Sequence, residues 1–410
     1  MRSSAINGTA LRKYAAALLA IMLFLFTCSA TAEEEAASPT DLTDPETIVE
    51  TVDNEDAVFD SDIILKASDV NGTGLYIHTD DGGSSAVTVN GSIVVDLKTD
   101  TIGHISSAPV YIQLTGEDSR AELTVNGDLE SSVEWTDPDN GDNVNGYGLS
   151  LEMENGQAQV RVNGDVTVTA HEQAEDGYTW AAGVHLYNTD GTADVEVNGD
   201  INVLSDIYGL ALNLHELDVE GNGSMRVKTV GDVSGTTRAA WLESLGGGHL
   251  DLIVDGTIKT GNDDTMLIAA DGASDIRVTA WKIEEDQEGR LLSVSPDDMS
   301  DMTAEEMEKS FLQYIIRVAD ESAGWITANA ETFEGYQVGK EGALIPLSLS
   351  LPDGYDLAGV YARENQSLPL TPDESGNYIL CVPRGGGVLL SVALEKKASE
   401  PEPEPEPAAP

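Results

Sequence analysis

The chain has 410 residues, with 73 acidic against 21 basic side chains, a formal net charge of −52, two cysteines and 5% aromatics. So negative a surface repels phosphate backbones and anionic lipid, which argues against nucleic-acid partners and against membrane attachment through basic patches. An apolar content of 40% is enough for a packed core, so the charge does not leave the whole chain disordered.

The N-terminus reads as an export signal. Arg2, Arg12 and Lys13 precede an apolar run from Tyr14 to Phe26, and Ala30-Thr31-Ala32 forms a small-residue cleavage site before Glu33-Glu34-Glu35. A membrane span needs about 20 apolar residues, so the run is too short for an anchor. Residues 1–32 are expected to be removed, leaving a secreted protein with no transmembrane segment. Cys28 follows the bulky Phe26 and Thr27, which disfavours lipidation there. Once it is lost, Cys381 has no disulfide partner. Its place in Tyr378-Ile379-Leu380-Cys381-Val382 predicts a buried strand residue. Residues 33–56 are acidic and read as disordered.

From 57 to 285 the chain repeats. Val89-Asn90-Gly91-Ser92, Val125-Asn126-Gly127-Asp128, Val162-Asn163-Gly164-Asp165 and Val197-Asn198-Gly199-Asp200 recur, with weaker copies at Val230-Gly231-Asp232 and Val254-Asp255-Gly256-Thr257. The glycines are spaced 36, 37, 35, 32 and 25 residues apart. Each copy predicts three short strands. An alternating strand such as Val160-Arg161-Val162 precedes the Asn-Gly corner, and a second such as Val166-Thr167-Val168 follows it. Asn-Gly tolerates positive φ and predicts a tight corner there. Upstream lies a third strand that often opens on a small residue, in seven copies: Gly74-Leu75-Tyr76-Ile77, Val110-Tyr111-Ile112, Gly148-Leu149-Ser150-Leu151, Gly183-Val184-His185-Leu186, Gly209-Leu210-Ala211-Leu212, Ala240-Trp241-Leu242 and Met266-Leu267-Ile268.

A unit this small cannot bury its own apolar face, so units must stack. The period is too short for an immunoglobulin-like sandwich, which needs about 100 residues. The expected fold is all-β: a single-chain parallel, right-handed β-helix of about seven coils, followed by a small C-terminal β domain. Val87, Val89, Val125, Val160, Val162, Val195, Val197, Leu252 and Val254 should point inward. Stacking should align Asn90, Asn126, Asn163 and Asn198 as an amide ladder. It should also align Asp128, Asp165, Asp200 and Asp232. These carboxylates are expected either to accept turn N–H groups or to form a column bridged by Ca²⁺, a hard cation that prefers oxygen ligands. No other cofactor is expected.

No catalytic constellation stands out. Adjacent coils offer carboxylate pairs almost everywhere, so proximity at the 5 to 9.5 Å of glycosidases discriminates nothing. The histidines His78, His104, His171, His185, His215 and His249 show no H-E-x-x-H spacing. His78, His185 and His215 recur near the ends of equivalent strands, which predicts a stacked surface column rather than metal ligation. Asp137-Pro138-Asp139-Asn140-Gly141-Asp142 lacks the glycine at the sixth position and the acidic twelfth position of an EF-hand loop, and reads as an acidic turn. A row of Tyr76, Tyr111, His185, Tyr187 and Trp241 on the upstream strands is the candidate ligand surface, since flat rings suit sugars.

After Ile283 the repeats stop. Residues 286–310 read as a linker with a short helix opened by the capping box Thr303-Ala304-Glu305-Glu306. Residues 311–396 read as a small β domain, and 397–410 as a stiff Pro/Glu tail. Tyr336-Gln337-Val338-Gly339-Lys340-Glu341-Gly342, Leu347-Ser348-Leu349-Ser350-Leu351-Pro352-Asp353-Gly354-Tyr355, Gly376-Asn377-Tyr378 and Val382-Pro383-Arg384-Gly385-Gly386-Gly387-Val388 resemble the divergent internalin-B-type repeats of Gram-positive surface proteins. Val360-Tyr361 stands where those repeats often carry Gly-Trp. The repeat region is similar to adhesin-like secreted bacterial β-helix proteins. The resemblance implies display outside the cell and carries no catalytic residues. The expectation is a monomeric, non-catalytic, adhesin-like or structural scaffold that binds a glycan or a host or cell-surface protein. The competing expectation is a polysaccharide lyase or glycosidase.

Overall fold

Alternation of β-branched and polar residues gives each repeat strand one apolar face, and the chain buries that face by coiling. The structure, a computed structural model, describes residues 46–397 apart from 102–103, 140, 175–176, 218–222, 245, 271–274, 295–302 and 364–367. The expected signal peptide, residues 33–45 and the tail beyond 397 lie outside the described residues.

Strands stack in parallel, each on its equivalent one coil away. Val89 pairs with Val125, Val125 with Val162 and Val162 with Val197. All four are wholly buried, as are Val195, Leu252 and Val254, while Val87 and Val160 are 3% exposed. The strands after the corner stack likewise: Ile93, Leu129, Val166 and Ile201 form one inward column. The upstream strands make a sheet of nine parallel strands that runs from Glu46–Asp53 to Ser293–Val294. Three strands per coil, paired only between coils, define a parallel β-helix. Burying each aliphatic side chain contributes roughly 1.5–3 kcal/mol. Ordering the chain opposes this with a comparable sum, so no coil is stable without its neighbours.

The rod extends beyond the seven expected coils at both ends. Glu46–Asp53 pairs with Asn71–Thr79, and Ala57–Phe59 and Ile63–Ser68 complete that first coil. The segment 33–56 is therefore not disordered throughout, because from Glu46 it is strand. At the far end Ser293–Val294 pairs with Met266–Ala270.

The corners are not left-handed turns. None of Asn90, Asn126, Asn163, Asn198 or the glycines that follow them has positive φ. Glycine is needed there because the preceding coil lies against it. A Cβ on Gly199 would sit 2.6 Å from Gly164 O, and one on Gly164 2.7 Å from Gly127 O. Backbone packing, not dihedral freedom, selects the residue.

The expected linker and boundary at 311 divide what the fold joins. The helix Ala304–Phe311 forms with its Thr303/Glu306 capping box, and Met307 is buried beneath it. Leu312–Val318 then pairs in parallel with the rod strand Asp275–Ile283. The same strand pairs with Tyr336–Gly339 and Val388–Lys396 of the C-terminal module. It closes the rod and opens the module at once. Trp281 Nε1 donates to Val388 O at 3.2 Å, and Arg384 grips both Glu308 oxygens at 2.9 and 3.0 Å and Glu285 at 2.7 Å. Within the module, Ile326–Ala328, Leu344–Leu349 and Tyr378–Cys381 form an antiparallel sheet. Cys381 lies on its strand as expected but is exposed, while Leu380 takes the inward position.

Candidate ligand-binding face

Two columns run along the Asn-Gly corner. Asn198 Nδ2 donates to Asn163 Oδ1 at 2.8 Å, Asn163 to Asn126 at 2.8 Å and Asn126 to Asn90 at 2.9 Å. Asn90 passes the ladder to Asp60 of the first coil at 3.1 Å. The amides are joined as expected. In the next column Asp128 Oδ1 accepts the backbone N–H of Asp165 at 2.8 Å, Asp165 that of Asp200 at 2.8 Å and Asp200 that of Asp232 at 2.7 Å. Asp232 Oδ1 accepts from Thr257 N at 2.8 Å, and its other oxygen lies 2.9 Å from Lys259 Nζ. Each carboxylate thus holds the coil that follows it. Among the described residues no group of three or more His, Cys, Asp or Glu side chains is placed to hold a metal ion, and the column is joined from coil to coil through these backbone acceptors.

The outer face of the nine-stranded sheet carries the rings. Tyr76, Tyr111, Ser150, His185, Asn213 and Trp241 follow one another in register along one column. Tyr187 belongs to the adjacent column, between Glu152 and His215. His78 shares that second column and His185 does not, so the three expected histidines divide between two columns. Tyr76 and Tyr111 stack with centroids 5.3 Å apart and planes 21° apart. Trp180 packs 5.1 Å from Tyr147 and 5.6 Å from His185. His215 lies 6.2 Å from His185 and 5.7 Å from Trp241. The row is less open than the sequence implied: Tyr111 is 8% and His185 9% exposed, against 38% for Tyr187.

Hydrogen bonds lock the rings. Tyr111 Oη donates to Glu152 at 2.9 Å and Tyr76 Oη to Gln113 at 2.7 Å. His215 lies between Glu243, 2.6 Å from its Nδ1, and Asn213, 3.0 Å from its Nε2. Asn213 Nδ2 is 2.9 Å from His185 Nδ1. Burial, followed by the nearby His215, pushes the His185 pKa down to about 3, so its ring is neutral and accepts from the amide. Burial raises the Glu152 carboxyl above its ordinary value, against the lowering effect of the Tyr111 hydroxyl. Tyr187 is raised by burial and then by the charges of Glu243 and Glu152.

Sequence reading missed Tyr147, Trp180, Glu152, Asn213 and Glu243 as members of this face, and placed His215 in a histidine column rather than among the rings of the ligand row. Only the coil-to-coil register brings them together. A signal was present in Tyr147-Gly148 and Trp180-Ala181-Ala182-Gly183, which set an aromatic ahead of the small residues that open the upstream strand, one position before Gly148 and three before Gly183.

The fold and this face define a class: an all-β parallel β-helix whose outer sheet bears a hydrogen-bonded aromatic surface. Comparison with protein-family models, with curated proteins and with solved structures gives no match to the chain. Among the described residues no helix is long and apolar enough to cross a membrane.

Proposed function

We propose that the protein is a non-catalytic scaffold displayed outside the cell, which binds a glycan on the aromatic face of its rod. The observation that carries this reading is the run of rings along one face, from the Tyr76–Tyr111 stack at 5.3 Å to Trp241 packed on His215 at 5.7 Å. Aromatic faces offer sugar rings a flat apolar platform, and the side chains behind them already hold fixed positions. Export rests on Arg2, Lys13, the apolar run and Ala30-Thr31-Ala32. Surface display rests on the likeness of the C-terminal module to internalin-B-type repeats.

The enzyme reading finds little support on this face. Glu152 and Glu243 share a column but stand three coils apart, on the order of 14 Å at the usual strand spacing. Paired glycosidase carboxylates stand about 5 to 9.5 Å apart. A glycan array combined with product analysis tests both readings. Retention without release of reducing ends or unsaturated sugars, weakened in Tyr187→Ser, is the expected result. Turnover of a retained glycan would overturn the non-catalytic reading, and retention unchanged in Tyr187→Ser would move binding away from this face.

A further inference from the structure

Charge is divided unevenly around the rod. The nine strands of the aromatic sheet contain one basic residue, Arg238, whose guanidinium lies 3.1 Å from Asp264 and 3.6 Å from Asp263. The other faces carry Lys66, Lys98, Arg120, Arg161, Arg226 and Lys228. Several of these pair with a carboxylate one coil away, as Lys98 does with Glu134 at 2.6 Å and Arg161 with Glu196 at 2.6 Å. On the aromatic face Glu243 has His215 at 2.6 Å. Glu152 has only a neutral partner, the Tyr111 hydroxyl, and no Lys, Arg or His forms an ion pair with it among the described residues.

The surroundings of Glu152 suit an organic cation. Along its column it lies between Gln113 and the open ring of Tyr187, and Tyr111 reaches it from the neighbouring column. Ring faces attract ammonium groups through their quadrupole, and a half-buried carboxylate adds a charge that water screens poorly. Two residues back along the strand and on the same face, Ser150 Oγ is buried and has no hydrogen-bond partner among the described residues, so the face retains an unsatisfied hydroxyl beside the carboxylate. A net charge of −52 draws cations toward the whole molecule.

We infer that the ligand of this face is a cationic amino-sugar polymer, with an ammonium held by Glu152 and a sugar ring laid on Tyr187. This rests on the glycan-binding reading and narrows its substrate class. The test is calorimetric titration at 150 mM salt with three hexasaccharides: β-1,4-linked glucosamine, its N-acetylated form and the corresponding neutral glucan. Glucosamine hexamer is expected to bind about tenfold tighter than the other two, in keeping with one desolvated cation–π and carboxylate contact. Glu152→Gln should abolish that preference and leave the weaker binding common to all three. Tyr187→Ser should weaken all three.

Equal affinity of the wild type for the three sugars overturns the inference and leaves the glycan reading standing, whereas no binding of any sugar removes both. A preference that survives in Glu152→Gln assigns the attraction to the overall charge and overturns the site. Hexalysine bound as tightly as the glucosamine hexamer, and undiminished by Tyr187→Ser, overturns the sugar class in favour of a basic peptide.

Discussion

Individual side chains in this protein do different work from what their type suggests. Asp165 is a charged residue in a column of like charges, yet its structural role is to accept the N–H of Asp200 at 2.8 Å. Asparagine supplies the same acceptor without the charge. Asp165→Asn should therefore melt at or above the wild-type temperature at low salt, whereas Asp165→Ala, which strands a backbone donor, should lose about 1–2 kcal/mol. Thermal melts of the two variants decide it, and equal losses would show that charge, not acceptance, is what the column supplies. The same melts in EDTA and in millimolar calcium should coincide, because Oδ1 is already engaged. His185 offers a second residue-scale expectation. Its folded pKa, about 3, lies below the unfolded value near 6.5, so between these values the unfolded chain binds the extra proton. The stability this neutral ring contributes is present above pH 6.5 and lost as the pH falls toward 3, with a limiting slope of about 1.4 kcal/mol per pH unit. Urea unfolding at pH 7, 5.5 and 4 should show a steeper acid loss for the wild type than for His185→Phe. Parallel profiles would mean that the ring charges inside the fold.

At the level of the strand, what the sequence displays depends on whether a feature repeats. Val-x-Val before Asn-Gly recurs often enough that strands, inward residues and the asparagine ladder are all legible from it. The first coil was hidden because Asp60-Ser61-Asp62 stands where later coils carry Asn-Gly. Asp60 and Asp62 nevertheless make the same hydrogen bonds, to Asn90 Nδ2 at 3.1 Å and Ser92 N at 2.9 Å. The small residue opening the upstream strand was placed two positions early in one coil. Gly209 pairs with Ala181, and Ala211 O is the atom that packs where a Cβ on Gly183 would be, 2.7 Å away. Local composition could not separate the two, since register is a property of pairs. The ligand face was half legible for the same reason: its outward rings could be listed from the strands, but the Glu243–His215–Asn213–His185 chain exists only across three coils. Interior and corner substitutions test the stacking itself. Val162→Asp puts a charge between Val125 and Val197, both wholly buried, and should unfold the rod or cost more than about 3 kcal/mol. Gly199→Ala, with its Cβ 2.6 Å from Gly164 O, should cost about 1–3 kcal/mol although it changes neither charge nor φ sign. Circular-dichroism melts that leave both variants at the wild-type temperature would rule out the close stacking of coils.

Over the whole molecule two features set stability, the surplus of negative charge and the closed end of the rod. With 73 acidic and 21 basic residues, repulsion outweighs the inter-coil pairs such as Lys98–Glu134, which are largely exposed and worth little each. Raising the salt from 0.01 to 0.15 M shortens the screening length from about 30 to about 8 Å and weakens the long-range repulsion more than the contact pairs. The melting temperature should rise with sodium chloride, and a fall would mean that the surface pairs dominate. The closed end depends on Leu312–Val318, which covers the edge of Asp275–Ile283 and carries Tyr314 onto the end of the column Val89–Val125–Val162–Val197–Thr229–Val254–Ala280. Tyr314 is 1% exposed, and burial pushes its phenol up to about 12. Uncovered parallel edges recruit further strands from other molecules. Truncation after Val294 removes that strand, the helix with Met307 and the Arg384–Glu308 clasp, and leaves Val278, Thr279 and Ala280 with a bare ladder. The truncated chain should melt at a lower temperature and self-associate in light scattering, whereas the intact chain, whose rod and C-terminal module share one strand, should unfold in a single calorimetric transition. Two well-separated transitions in the intact chain, or a truncated rod that stays monomeric at the same melting temperature, would show that the module hangs from the rod without sealing it.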